Sequence, residues 1–266
     1  STVPLTDVLP CSLADPRTIV VYDSLSSDGR FVLYSLLAPH MASGTANVFW
    51  LAGSGAWTES TIRQSLQKMG CQASKTSNLT VSCLADIMIQ HVDESADGST
   101  CNENDMVKGL YQAIKSWSAQ QDHTEAPCWV FLDDVSAMTC LIGEKLAYTL
   151  VSAVCSLSNV GVLIRAHATT NDTQSMASNE TTTSPWFASS GRVSKSITWE
   201  DSLAELADGI IDVVPLATGP TRQAHGRLLF TQISESGWGD KPQSNLRLVN
   251  YCLSDTKVSA IRIQTA

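Results

Sequence analysis

"TIVVYDSLSSDGRFVLYSLL", residues 18–37, decides the fold. Its opening, 18–25, is rich in β-branched residues and reads as a buried strand. From Gly29 onward, Phe31, Leu33, Leu36 and Leu37 recur at helical spacing until Pro39, where a disturbance is expected. The stretch is thus a strand, a turn and a short helix, the place where a nucleotide-binding chain puts its phosphate loop. The template G-x-x-x-x-G-K-[ST] uses glycines to bring backbone N–H groups to the phosphates, a Lys for their charge and a hydroxyl for Mg²⁺. Here Ser24 replaces the first Gly, Gly29 keeps the second, Arg30 stands for Lys and Phe31 for the hydroxyl. Only the glycine survives, so by itself the stretch reads as an ordinary strand-to-helix turn with a Gly at its bend, and context has to decide whether it is a former phosphate loop.

Strands and helices alternate downstream. Strands are predicted at 46–52 ("ANVFWLA"), 79–86, 128–134 ("CWVFLDD") and 160–167 ("VGVLIRAH"). Helices are predicted at 57–70, 106–117 and 141–158, with a polar loop over 93–104. Continuous apolar strands alternating with helices imply a parallel sheet covered on both faces. The 141–158 helix carries only Glu144 and Lys145 as charges, so cover from the sheet and from a neighbouring subunit is expected. Residues 168–185 hold nine Ser or Thr and predict a long mobile loop extending to about 198. A helix in "WEDSLAELADG", a strand "IIDVVPL", a turn, a strand "RLLFTQI" and a terminal antiparallel hairpin follow. A parallel α/β core finished by antiparallel strands is RecA-like architecture, here a single domain over 1–266.

The net charge of −9 and pI near 4.9 argue against autonomous, non-specific nucleic-acid binding. No apolar run approaches membrane-spanning length, and "STVPLTDVLP" lacks the features of a secretory leader, so neither membrane insertion nor secretion is expected. Eight scattered cysteines without a C-x-x-C pair read as buried apolar residues of a reducing compartment.

In such a core, "WVFLDD" ends in Asp133 and Asp134 where the acidic metal- or water-holding residue of the second nucleotide motif would stand. "AGSGAW" lacks the first Gly of a nucleophile elbow, which is Ala52. The histidines show no metal-ligand spacing, and His167, at a strand end, reads as a packing residue. No nucleophile and base pair off, so no catalytic residue, metal or cofactor is expected. "LATGPTRQAHGRL", 216–228, gathers Arg222, His225 and Arg227 at a turn in an acidic chain. It suits an anionic partner or a solvated hairpin tip.

"VFLDDVSAM", "VGVLIRAH", "LADGIIDVVPLATGPTRQAHGRL" and the broken phosphate loop together resemble the sixth-subunit family of the RecA-like accessory subunits of Elongator, over roughly 17–263. The resemblance implies a RecA-like fold without functional nucleotide motifs, in a hetero-hexameric ring with two sister RecA-like subunits, attached to the catalytic Elongator subunits. That ring binds tRNA and supports wobble-uridine modification, in the cytoplasm and, as a second location, the nucleus. Arg222, Arg227 and, when protonated, His225 are then the first candidates for tRNA contact, with Arg192 and Lys195 second. Two alternatives stay open: an active RecA-type ATPase in which Arg30 replaces the Lys, and a different RecA-like ring subunit or scaffold.

Overall fold

The computed structural model describes residues 2–7, 17–24, 26–53, 58–72, 78–94, 103–121, 126–168, 198–221, 223–233, 245–254 and 257–261. In chain order the elements are β1 (Thr2–Pro4), β2 (Thr18–Asp23), α1 (Arg30–Ser43), β3 (Asn47–Ala52), α2 (Glu59–Lys68), β4 (Leu79–Cys83), α3 (Leu84–Glu94), α4 (Glu103–Ala119), β5 (Cys128–Asp133), α5 (Val135–Ile142), α6 (Glu144–Cys155), β6 (Val160–His167), α7 (Trp199–Ala204), β7 (Gly209–Pro215), β8 (Gly226–Gln232), β9 (Asn245–Leu253) and β10 (Val258–Ile261).

All the described strands join one sheet, ordered β1-β10-β9-β8-β7-β2-β6-β5-β3-β4. The six strands from β7 to β4 are parallel. From β7 outward through β8, β9, β10 and β1 the pairing is antiparallel. Strand period two sorts the core into two layers. Ile19, Val21, Trp50, Phe131 and Leu163 face α1 and α2, while Val20, Tyr22, Leu51, Leu132 and Ile164 face α3 to α7. Helices therefore cover both faces of the parallel half, and the chain crosses from one side of β2 to the other. The carboxyl ends of β2, β5 and β6 meet near that crossing, where open α/β sheets place their ligands.

The helices depart from the sequence reading in three places. Pro39 does not end α1, which runs on to Ser43 and closes at Gly44. Burial of Leu36, Leu37 and Met41 outweighs the one N–H that Pro39 lacks. The strand expected at 79–86 stops at Cys83 and turns directly into α3, so 93 and 94 are helical, as are 103 and 104 at the start of α4. The rest of the polar loop at 93–104 lies outside the described residues. The single helix expected at 141–158 is two, α5 and α6, parted at Gly143, whose φ of 79° is strained for other residues. The apolar faces of α6 lie against the sheet, α4, α5 and α7. Tyr148, for example, meets the edge of Trp199 at 6.3 Å. Much of its cover thus comes from its own chain. The mobile loop expected at about 168–198 falls on 169–197, outside the described residues.

Candidate functional site

In the turn after β2, four backbone N–H groups, those of Ser24, Ser27, Gly29 and Arg30, bond to the chain itself. Ser24 N–H donates to the Ser27 carbonyl at 3.2 Å, and Ser27 N–H returns a bond to Ser24 at 3.0 Å. The buried Ser27 hydroxyl donates to the Val213 carbonyl at 2.9 Å, fastening the turn to β7. Arg30 N–H and its Nε both reach Asp28 Oδ1 at 3.0 Å. Most telling is Gly29, whose N–H at the start of α1 donates to Asp23 Oδ2 at 2.6 Å. A helix N-terminus receives anions because its first N–H groups lack intrahelical partners, and here the anion is the chain's own carboxylate. The approach is so close that a Cβ at Gly29 would lie 3.0 Å from Asp23 Cβ. Phe31 packs its ring against Tyr251 at 4.6 Å.

Asp23 belongs to a larger cluster at the strand ends. The Arg165 guanidinium, on β6 and 1% exposed, donates from Nε to Asp133 Oδ1 at 2.5 Å and from Nη1 to Asp23 Oδ2 at 2.9 Å. Its Nη2 lies 3.5 Å from Asp134 Oδ2. Two strand positions on, His167 donates from Nδ1 to Asp23 Oδ1 at 2.5 Å and holds Nε2 at 3.5 Å from Asp134 Oδ1. Backbone bonds lock the strand ends: Gly53 N–H to the Asp133 carbonyl, Ala168 N–H to the Asp23 carbonyl, and His167 N–H to Ser136 Oγ. Asp134 sits in the left-handed region (φ 66°, ψ 58°), which Asp tolerates better than most residues. Its side chain caps α5 by accepting the Ala137 N–H.

The electrostatics follow from burial and partners. Burial opposes the Arg165 charge, but Asp133, Asp23 and Asp134 overcome it and hold the guanidinium firmly protonated. Burial pushes the Asp133 carboxyl up, against the pull of Arg165. For Asp134 burial also acts upward, yet the His167 hydrogen bond and the Arg165 charge hold it below the usual carboxylate range. Hydrogen bonding to Asp134 and Asp23 raises His167 to about 9, so the ring is an imidazolium at neutral pH. The cluster therefore sets three carboxylates against two fixed cations.

Of the residues singled out from sequence, Ser24, Gly29, Asp133, Asp134 and His167 converge on this edge of the sheet. His167 is an ion-paired member of the cluster rather than a packing residue. Asp23 and Arg165 were missed as site residues. The signal for them was an arginine inside the otherwise apolar β6 beside two strands ending in Asp.

The basic turn lies at the same edge, between β7 and β8. Gly219 supplies its positive φ of 76°, and the Thr221 hydroxyl accepts the Gln223 and Ala224 N–H groups. Arg227 is exposed at the start of β8. His225 uses Nδ1 to accept the Leu253 N–H at 3.0 Å, a bond tying the turn to β9. Full protonation of the ring for tRNA contact would break that bond. Arg222, Arg192 and Lys195 lie outside the described residues, as does Ser54 of "AGSGAW". Among the described residues no group of His, Cys, Asp and Glu has the arrangement of a metal site, and no helix is long and apolar enough to cross a membrane.

No family model and no curated protein matches the chain significantly. Solved structures do. The RadB recombinase is similar at 11% identity with a TM-score of 0.51, covering 96% of this chain and 95% of that one. A KaiC-like protein from the hyperthermophilic archaeon Pyrococcus horikoshii OT3 is similar at 8% identity with a TM-score of 0.51, covering 95% of this chain and 98% of that one. At such identities likeness speaks for the fold alone: the chain has a RecA-like α/β fold, a mostly parallel helix-flanked sheet ending in antiparallel strands.

Proposed function

We propose that the chain is a non-catalytic RecA-like subunit of the hetero-hexameric accessory ring of Elongator, supporting tRNA binding and wobble-uridine modification alongside two sister subunits. The observation that carries the non-catalytic part is Gly29, whose N–H, the one surviving element of a phosphate cradle, is taken by Asp23. Phe31 offers no metal ligand, and its ring is committed to Tyr251. The Elongator assignment rests on the sequence resemblance, whose most specific element, "LATGPTRQAHGRL", forms the β7–β8 turn at the same sheet edge as the cluster. With a net charge of −9, contact with RNA has to be local. Arg227, exposed at that turn, ranks first among the described candidates, and Arg222, five positions before it in sequence, remains a candidate from the sequence.

The test is co-expression with the two sister subunits, followed by a salt titration of tRNA binding with the assembled ring. Replacing Arg222 and Arg227 by Ala weakens binding and lowers the log–log salt slope by about 1 for each contacting Arg. A chain that stays monomeric beside its sisters overturns the ring assignment. An intact ring with unchanged affinity and slope moves the RNA contacts to other subunits.

A further inference from the structure

The RecA-like fold implies a nucleotide and a divalent cation at these strand ends, and the residues present do not fit that pair. The disagreement can be read chemically. Asp23 at the end of β2, Asp133 at the end of β5 and Asp134 just after it converge from two non-adjacent strands on one guanidinium, with hard oxygens of the type that ligate small divalent ions but with the cation between them supplied by the chain. Between them, from β6, comes Arg165. Its three guanidinium nitrogens each face a different carboxylate, at 2.5, 2.9 and 3.5 Å, and the side chain is 1% exposed. A lone buried cation of this kind is sustained only by such pairing. Of the three carboxylates Asp133 depends on it most, since Asp23 also accepts the Gly29 N–H and pairs with His167, and Asp134 also accepts the Ala137 N–H.

We propose that the Arg165 guanidinium is a built-in cation, held where the three strand-end carboxylates would otherwise take a divalent metal ion, and that shortening Arg165 opens a metal site. The inference deepens the non-catalytic reading by naming what fills the site. One side chain joins β2, β5 and β6, as a bound ion would. His167 completes the arrangement from the rim, facing Asp23 and Asp134.

The probe is Mn²⁺, followed by the loss of its free-ion paramagnetic resonance signal and by thermal unfolding of the full chain. Wild type takes up no Mn²⁺ and its Tm does not move. Arg165→Ala unfolds at a lower temperature, by about 10 °C from loss of a buried pair in a chain of this size. It binds Mn²⁺ at least about tenfold more tightly than wild type, regaining several degrees in Tm. Adding Asp133→Asn abolishes that binding. Arg165→Lys, which keeps one positive charge, folds and stays silent toward Mn²⁺. Should Arg165→Ala not fold in metal-free buffer, the readout is its refolding yield with Mn²⁺ against Na⁺ at equal ionic strength, and no gain counts against the proposal. Mn²⁺ binding by wild type, or a folded Arg165→Ala that ignores Mn²⁺, overturns it. None of these measurements involves sister subunits or RNA, so a failed ring assignment leaves them intact.

Discussion

Asp23→Asn removes one charge from the centre of the strand-end cluster while preserving the shape of the side chain. Asp23 is buried and takes three bonds: Gly29 N–H, Arg165 Nη1 and His167 Nδ1. An Asn oxygen can keep the first two as weaker neutral-acceptor bonds. Its NH₂ group then faces a His167 nitrogen that is itself a donor, so the ring must give up its proton or turn away. Losing one partner of a buried ion pair costs about 3–5 kcal/mol, and the retained bonds place this variant near the lower end. At roughly 2–4 °C per kcal/mol, the expected fall in Tm is about 6–12 °C. Urea unfolding should show the midpoint moving with the slope unchanged. In the same variant, the NMR titration of His167 moves down from about 9, because one of its two carboxylate partners is gone. A loss below about 1 kcal/mol, or an unmoved His167 titration, would refute the reasoning that Asp23 anchors the cluster.

Asp134→Ala loses the α5 cap, the contact with His167 and the residue's tolerance of a φ of 66°, and should cost about 2–3 kcal/mol in urea unfolding. Asp134→Asn, which can cap and can adopt the left-handed region, should keep most of that stability. The His167 pairing makes stability pH-dependent in a definite direction: its folded pKa is raised from 6.5 to about 9. The stabilisation is therefore complete below pH 6.5 and lost as pH rises through 9. For a ring one-third exposed, solvent screening leaves about 1–2 kcal/mol of it. The wild-type minus His167→Ala difference in stability should fall by that amount across the window.

The parallel half of the sheet was legible because its strands are buried on both faces and read as unbroken apolar runs, as "NVFWLA" and "CWVFLD" do. What was not legible lay at junctions. Leu84 continues the apolar run of β4, yet it opens α3 with no intervening loop. β1 spans three residues and exists only through its pairing with β10. In the candidate site, the departure of residues 24–31 from a phosphate-loop motif was visible because a motif can be checked position by position. The cluster was not, because Asp23, Asp133 and Arg165 are far apart in sequence and only the strand order sets β6 between β2 and β5. An arginine inside an apolar strand is the local trace of such a cluster. Its partners become apparent only when strand neighbours are known.

The central claim is that the place of a nucleotide and its metal at these strand ends is taken by the chain's own Asp23 and Arg165. Isothermal titration calorimetry of the wild-type chain with ATP and Mg²⁺ tests it most directly. The account predicts no binding heat beyond dilution, and no change when Asp133 is replaced by Ala in a folded variant. Micromolar, Mg²⁺-dependent binding that disappears with Asp133→Ala would contradict it and return the site to an active RecA-type nucleotidase.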